Sequence, residues 1–215
     1  MSEDLSRVVV RKPWGREYLC YRNEALAIWA LNIESGRATS LHCHPHKNTA
    51  LIVLDGRVEI EFIRGTPLRM AGLDKINVFR GRFHRTRAVY GDATLLEVEA
   101  PDDKRDIVRL EDDYGRVGLP IEGPESEEGR RQDCTMISDG GGTLFSECSM
   151  RVIRPLIMDD LRTFRAEHIL VTLRGGLSDG LLPPGDAVDG ETLARMAQAF
   201  APIPGTQMLL IWRDR

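Results

Sequence analysis

Apolar and polar residues alternate along "RVEIEFI" (57–63). Val58, Ile60 and Phe62 point one way, and Arg57, Glu59 and Glu61 the other. A period of two marks a strand with one buried face. "LAIWALNI" (26–33) is apolar but for Asn32 and bounded by polar residues, as a buried strand would be, and "ATLLEVEA" (93–100) alternates in its second half. Between these runs lie the turn signals "ESGR" (34–37), "LDGR" (54–57), "IRGTP" (63–67), "FRGRF" (79–83) and "VYGDA" (89–93). Short strands broken by glycine turns predict a β-sandwich or barrel.

The character changes after "PIEGPESEEGRR" (120–131), a Pro-, Gly- and charge-rich stretch that reads as a linker. Beyond it, "SDGGGT" (138–143) is a second flexible spot, "AEHILVTLRGG" (166–176) predicts a buried strand ending in a glycine turn, and "QMLLIW" (207–212) a final strand. "DGETLARMAQAF" (189–200) is the one convincing helix: Asp189 is placed to cap it, and Leu193, Met196, Ala197 and Phe200 share a face. The expected organisation is a barrel over 1–119, a linker over 120–135 and a smaller module over 136–215.

A chain of 215 residues buries a core without staples, and its 42% hydrophobic and 29% charged residues are ordinary for a globular protein. A net charge of −4 disfavours a general nucleic-acid binder. No apolar run approaches the roughly 20 residues needed to span a bilayer. "MSEDLSRVVVRKPWG" lacks the apolar centre of a signal peptide. Cys20, Cys43, Cys134 and Cys148 form no CxxC pair and read as free thiols. Together these features lead us to expect a cytoplasmic protein without nucleic-acid or membrane partners.

Only five histidines occur in the chain, and three of them, His42, His44 and His46, stand at every second position of "SLHCHPHK" (40–47). On an extended strand His42 and His44 project to one side and Cys43 to the other. Two imidazoles on one face are half of a divalent metal site. His84 in "GRFHRT" is the expected third ligand; His46 has the right parity, but Pro45 interrupts the strand before it. Surface histidines on an edge strand are the plainer alternative. His168, alone before an apolar strand, reads as structural.

The first 116 residues resemble a cupin, in particular the cupin part of type II phosphomannose isomerases and their mannose-1-phosphate guanylyltransferase fusions. The resemblance is carried by "KPWGREY" (12–18), "SLHCHPHK" (40–47) and above all "EVEAPDDKRDIVRLEDDYGR" (97–116). It implies a mainly β fold: a small antiparallel jelly-roll barrel, followed by a β-rich or α+β module that "LLPPGDAV" (181–188) would make a degenerate second cupin. It implies one divalent metal (Zn, Ni, Fe or Mn) at positions 42, 44, 49 and 84. His42 replaces the family's Gln and Thr49 its Glu, which leaves three neutral histidines. Cupins are often dimers, and a homodimer is compatible with the resemblance.

Arg80, Arg82, Arg85 and Arg87 surround His84. Guanidinium groups suit bidentate contact with phosphate or carboxylate. By strand parity Arg80 and Arg82 share the ligand face, whereas Arg85 and Arg87 need not; a solvated exterior balanced by acidic residues is the alternative. Lys47, where the relatives carry Arg, adds to the anion-binding set. An aldose–ketose isomerase needs a base, and Glu97, Glu99, Lys47 and, less so, Glu61 are candidates, with Glu97 and Lys47 preferred. The outward polar face of a strand is the alternative for both Glu97 and Glu99.

The expected function is that of a metal-dependent enzyme acting on a small anionic sugar, phosphorylated or nucleotide-linked. The resemblance points to mannose 6-phosphate and to surface polysaccharide synthesis. Two rivals stand beside it: a three-histidine Fe(II) dioxygenase, and a non-catalytic sugar-binding or regulatory cupin. Nothing resembles a Gly-rich nucleotide loop, so guanylyltransferase activity is not expected.

Overall fold

A computed structural model describes residues 9–119 and 134–213. Most of the expected linker and the first eight residues of the chain lie outside the described residues. Eleven strands make up the first part: β1 (Val9–Lys12), β2 (Gly15–Arg22), β3 (Ala27–Ile33), β4 (Leu41–Cys43), β5 (Asn48–Asp55), β6 (Arg57–Phe62), β7 (Leu68–Ala71), β8 (Lys75–Val78), β9 (His84–Ala88), β10 (Ala93–Ala100) and β11 (Val108–Glu111). They form two antiparallel sheets, β1-β2-β3-β10-β5-β8 and β11-β4-β9-β6-β7. Strands β3 to β10 are shared equally between the sheets, in the orders β3-β10-β5-β8 and β4-β9-β6-β7. That is the double Greek key of a jelly roll, the fold of cupins.

The turns form where glycine allows them. Gly56, between β5 and β6, has φ +79°, and a side chain there would strike the backbone of Asp92 and Ala93. Gly15 is pressed against the Asn32 carbonyl in the same way, which accounts for the glycine of "KPWG".

The second part contributes β12 (Gly142–Phe145), β13 (Cys148–Ile153), β14 (Ile169–Arg174), β15 (Ala187–Asp189) and β16 (Gln207–Arg213), with a short helix α1 (Met158–Leu161) and the expected helix α2 (Gly190–Met196). The Asp189 side chain accepts from the Thr192 N–H at 2.8 Å, which caps α2. These strands form one antiparallel sheet, β12-β13-β16-β14-β15. Among the described residues this sheet has no second sheet of its own, and with α1 and α2 it makes up a β-rich second module.

Burial shows what the third sheet packs on. Met150, Ile169, Val171, Leu173, Leu209 and Ile211 share one apolar cluster with Ile28, Ala30, Ala50, Ile52, Leu54, Leu96 and Val98 of the first sheet. Alternate residues of the same strands, Leu170, Met208 and Leu210, pack on the other side with Leu161, Leu193 and Ala197. The first sheet is likewise buried on both faces: Trp29, Leu31, Leu51, Val53 and Leu95 point into the barrel with Val58 and Ile60 of the second sheet. Burial on both faces explains the apolar runs of β3, β5, β14 and β16.

Strand β10 turns the usual pattern around. Leu96 and Val98 face the third sheet, while Ala93 and Leu95 face the barrel interior. By the same alternation Glu97 and Glu99 point inward, and both are buried. The reading of these carboxylates as an outward polar face is therefore corrected. The apolar side faces outward because another sheet covers it.

Because barrel and third sheet share one core, Leu209→Ala is expected to cost about 2–5 kcal/mol. Urea unfolding followed by tryptophan fluorescence and by far-UV circular dichroism should show the loss in one coincident transition. Two separated transitions, with the barrel unaffected, would show that the two parts are energetically independent.

Candidate metal centre

Strands β4 and β9 are neighbours, and His42 stands directly opposite His84 in their register. His44 follows two residues after His42, so all three rings enter the barrel from one sheet. Their centroids are 4.9 Å (His42–His44), 4.5 Å (His42–His84) and 5.6 Å (His44–His84) apart. One ring nitrogen from each lies within 4.8 Å of the others, and all three residues are buried. His46 is exposed in the turn after Pro45.

A backbone carbonyl holds each ring. Nδ1 of His42 donates to the Ser40 carbonyl at 2.8 Å, Nδ1 of His44 to the Asp106 carbonyl at 2.6 Å, and Nδ1 of His84 to the Arg82 carbonyl at 3.1 Å. A carbonyl oxygen can only accept, so each proton belongs on Nδ1 and each Nε2 keeps its lone pair. This is the outer-shell arrangement that orients metal-binding histidines. Burial first, then the neighbouring cationic groups, lowers the proton affinity of the rings. His42 is well below its usual range; His44, with Lys47 and His84 adding to the effect, falls to about 3; His84 falls to about 4. The trio is neutral at pH 7. Nε2 of His44 is buried without a hydrogen-bond partner, which a bound cation would supply. The residues present fit a divalent metal ion.

Asp106 ties this corner together. Its carbonyl accepts the hydrogen bond from His44 Nδ1, and its Oδ2 accepts those from the backbone N–H groups of His46 and Lys47 at 2.9 and 2.8 Å. Arg109 stands directly opposite His42 across β11 and β4, on the same face, and its charge contributes to lowering the His42 pKa. Sequence reasoning passed over both residues, although both lie within the "DDKRDIVRL" run that carries the family resemblance. Arg109 reaches His42 through strand pairing, and Asp106 reaches His44, His46 and Lys47 from the loop before β11; neither contact follows from spacing.

The opposite wall is charged. Lys47 Nζ bonds Glu99 Oε1 at 2.8 Å and the Asp103 carbonyl at 2.9 Å. Lys104 Nζ lies 3.4 Å from Glu99 and 3.4 Å from Glu17, and 3.9 Å above the Trp29 ring. Lys12 is 3.2 Å from Glu17. Glu99 therefore ionises easily, at about 2, because Lys104 and Lys47 outweigh its burial. Glu97, two residues along the same face, is pushed up to about 7 by burial and then by the charge of Glu99. One carboxylate holds its charge throughout, and the other titrates near neutral pH.

Strand parity applies to Arg85 and Arg87, which lie on β9, but not to Arg80 and Arg82, which lie exposed on the turn before it. Arg85 and Arg87 face outward, where Glu61, Glu111 and Asp113 accompany them. Arg82 is exposed, with its guanidinium 4.1 Å over the ring of Phe62, the residue paired with His84. Arg80 is exposed on the same turn, and its N–H donates to Asn48 Oδ1 at 3.0 Å. The Gly81 N–H ties that turn to the His44 carbonyl at 2.7 Å. Trp14 and Trp29 are core residues, and Cys43 is buried on the face away from the histidines. Cys20, Cys43 and Cys148 are buried free thiols. His168 is half-buried beside Phe164, and its Nδ1 accepts from the Arg165 N–H.

No protein-family model matches the chain, and no curated protein matches it. Solved structures do resemble it. KdgF from Halomonas sp. is 16% identical over 43% of this chain and 84% of that one, with a TM-score of 0.40. A Klebsiella pneumoniae protein with a double-stranded beta-helix domain is 16% identical over 52% of this chain and 90% of that one, at 0.41. A sugar phosphate isomerase from a cupin superfamily, from Silicibacter pomeroyi, is 18% identical over 36% of this chain and 52% of that one, at 0.34. The jelly roll itself is read from the strand order. No helix among the described residues is long and apolar enough to cross a membrane.

Glu97 binds a proton more tightly folded than unfolded, so its contribution to stability is present below its unfolded pKa of about 4.5 and lost as pH rises through about 7. Glu97→Gln removes that dependence. The wild type should therefore lose stability relative to this variant between pH 5 and pH 8, measured as urea midpoints. A constant difference between the two would show that Glu97 ionises normally.

Proposed function

We propose that His42, His44 and His84 hold one divalent metal ion and that the barrel is the active site of an enzyme acting on a small anionic sugar. The observation that carries this reading is the set of three buried, neutral imidazoles, each with its proton given to a backbone carbonyl. When bound, the ion supplies a Lewis acid that polarises a carbonyl or hydroxyl oxygen of the substrate. Three neutral ligands leave the ion its full charge, which favours an anionic substrate. Zn, Ni, Fe and Mn all suit the site.

The reaction proposed is a proton transfer between adjacent carbons, as in aldose–ketose isomerisation. Glu97 is the group for it: an inward carboxyl with a raised pKa exchanges a proton near neutral pH in either direction. Lys47 and Arg82, with Arg80 on the same turn, are proposed to bind the anionic part of the substrate. Lys47 has two partners for its three N–H donors, and Arg82 sits beside the strand that bears His84. The resemblance of residues 97–116 to phosphomannose isomerases suggests a hexose phosphate such as mannose 6-phosphate, and with it a role in surface polysaccharide synthesis.

An Fe(II) oxygenase is the second reading, because a ligand set of three neutral imidazoles without a carboxylate also leaves positions for oxygen. Oxygen consumption during turnover separates the two.

Titration of the apoprotein with Zn²⁺ or Ni²⁺ is expected to show one equivalent bound. His84→Ala should weaken binding at least 100-fold with the circular dichroism spectrum retained. Unchanged binding in that variant would remove the metal centre. In a panel of hexose phosphates in D₂O, the isomerase reading expects deuterium to enter the carbon next to the carbonyl. Glu97→Gln should slow this by roughly 10²–10⁴. Metal binding without exchange or oxygen uptake would leave a sugar-binding module.

A further inference from the structure

Position 49 faces the interior of the barrel from β5. It carries Thr49, buried and with its hydroxyl oxygen unpartnered. Directly across the ladder, on the same face, stands Glu99. One oxygen of Glu99 is engaged by Lys47 and Lys104, while the other, Oε2, is buried without a partner. Nε2 of His44 is also buried and unpartnered, and the charge of Glu99 acts to raise the His44 pKa. Thr49 and Glu99 thus set two unpartnered buried polar atoms across one ladder pair. Buried polar atoms left unpaired carry a desolvation cost that a bound group would relieve.

The charges around this corner say what is missing. A dication on three neutral imidazoles would sit in a low-dielectric interior beside the ammonium of Lys47, and needs a nearby negative charge. Glu17 is engaged by Lys12 and Lys104. Glu97 keeps its proton to about pH 7. Glu99 is engaged by Lys47 and Lys104 as well, but only through Oε1, and its Oε2 is buried without a partner.

We propose that Glu99 provides the negative charge that position 49 lacks, with its unpaired oxygen acting as the carboxylate partner of the cation held by His42, His44 and His84. Glu99 lies outside the trio of converging nitrogens. It therefore acts as a neighbouring charge held in place by Lys47 and Lys104, and not as a fourth ligand in its present rotamer. The proposal rests on the metal reading given above.

The test is calorimetric titration of the full-length apoprotein with Zn²⁺, without substrate. Glu99→Gln should bind at least tenfold more weakly than wild type, and Glu99→Asp, which keeps the charge, within about threefold. Thr49→Glu introduced into Glu99→Gln should restore the affinity, because it returns a carboxylate to the same corner. A folded Glu99→Gln variant with wild-type affinity, or no recovery with Thr49→Glu, would overturn the proposal and leave the three-histidine site intact. A wild type that binds no Zn²⁺ would instead defeat the metal reading itself. If Glu99→Gln does not fold, the side-chain ¹³C resonance of Glu99 in the wild type decides. It should move when Zn²⁺ is added, and a fixed resonance in a protein that binds Zn²⁺ would overturn the proposal.

Discussion

A buried imidazole that gives its one proton to a backbone carbonyl has only a lone pair left to offer. Three such rings in contact define this barrel. Their orientation depends on main-chain oxygens at residues 40, 82 and 106, and so on the exact pairing of β4 with β9 and β11. A slip of one residue in either ladder would carry the side chains to the opposite face. The rest of the fold can be read as the frame that prevents such a slip.

That frame has an unusual division of surfaces. The first sheet is apolar on both faces where it meets other layers, and polar inside where the barrel opens. The third sheet covers the outer face with Leu209, Ile211 and their neighbours, so the barrel is stabilised from outside. Its interior is then free to hold Lys12, Glu17, Lys47, Glu97, Glu99 and Lys104. A jelly roll that relied on its interior alone for apolar burial would have less room for these groups. The extra sheet and the charged interior are two sides of one arrangement.

Buried charges stabilise little by themselves. Removing water from each ion costs several kcal/mol, and the partner's attraction roughly offsets it. Their value here is positional. Lys104 lies between Glu17 and Glu99 and against Trp29, and Lys47 joins Glu99 to the segment that ends at Asp106. This chain of contacts sets one carboxylate charged and its neighbour titrating near neutral pH within two residues of β10. The proton-transfer role proposed for Glu97 depends on that asymmetry.

Much of this was legible in the sequence. Period two gave β6 its faces, the glycine turns marked the strand ends, and Asp189 with Leu193 and Ala197 outlined α2. Alternation alone required His42 and His44 to share a side, because i and i+2 on a strand always do. What alternation cannot say is which side is inside. For β10 the ordinary inference, polar outward, failed because a sheet formed by residues 142–213, far along the chain, covers the outer face. The meeting of His84 with His42, the grip of Asp106 on His44 and the placing of Glu99 across from Thr49 are equally non-local. They depend on which strands become neighbours, and only the closed barrel decides that.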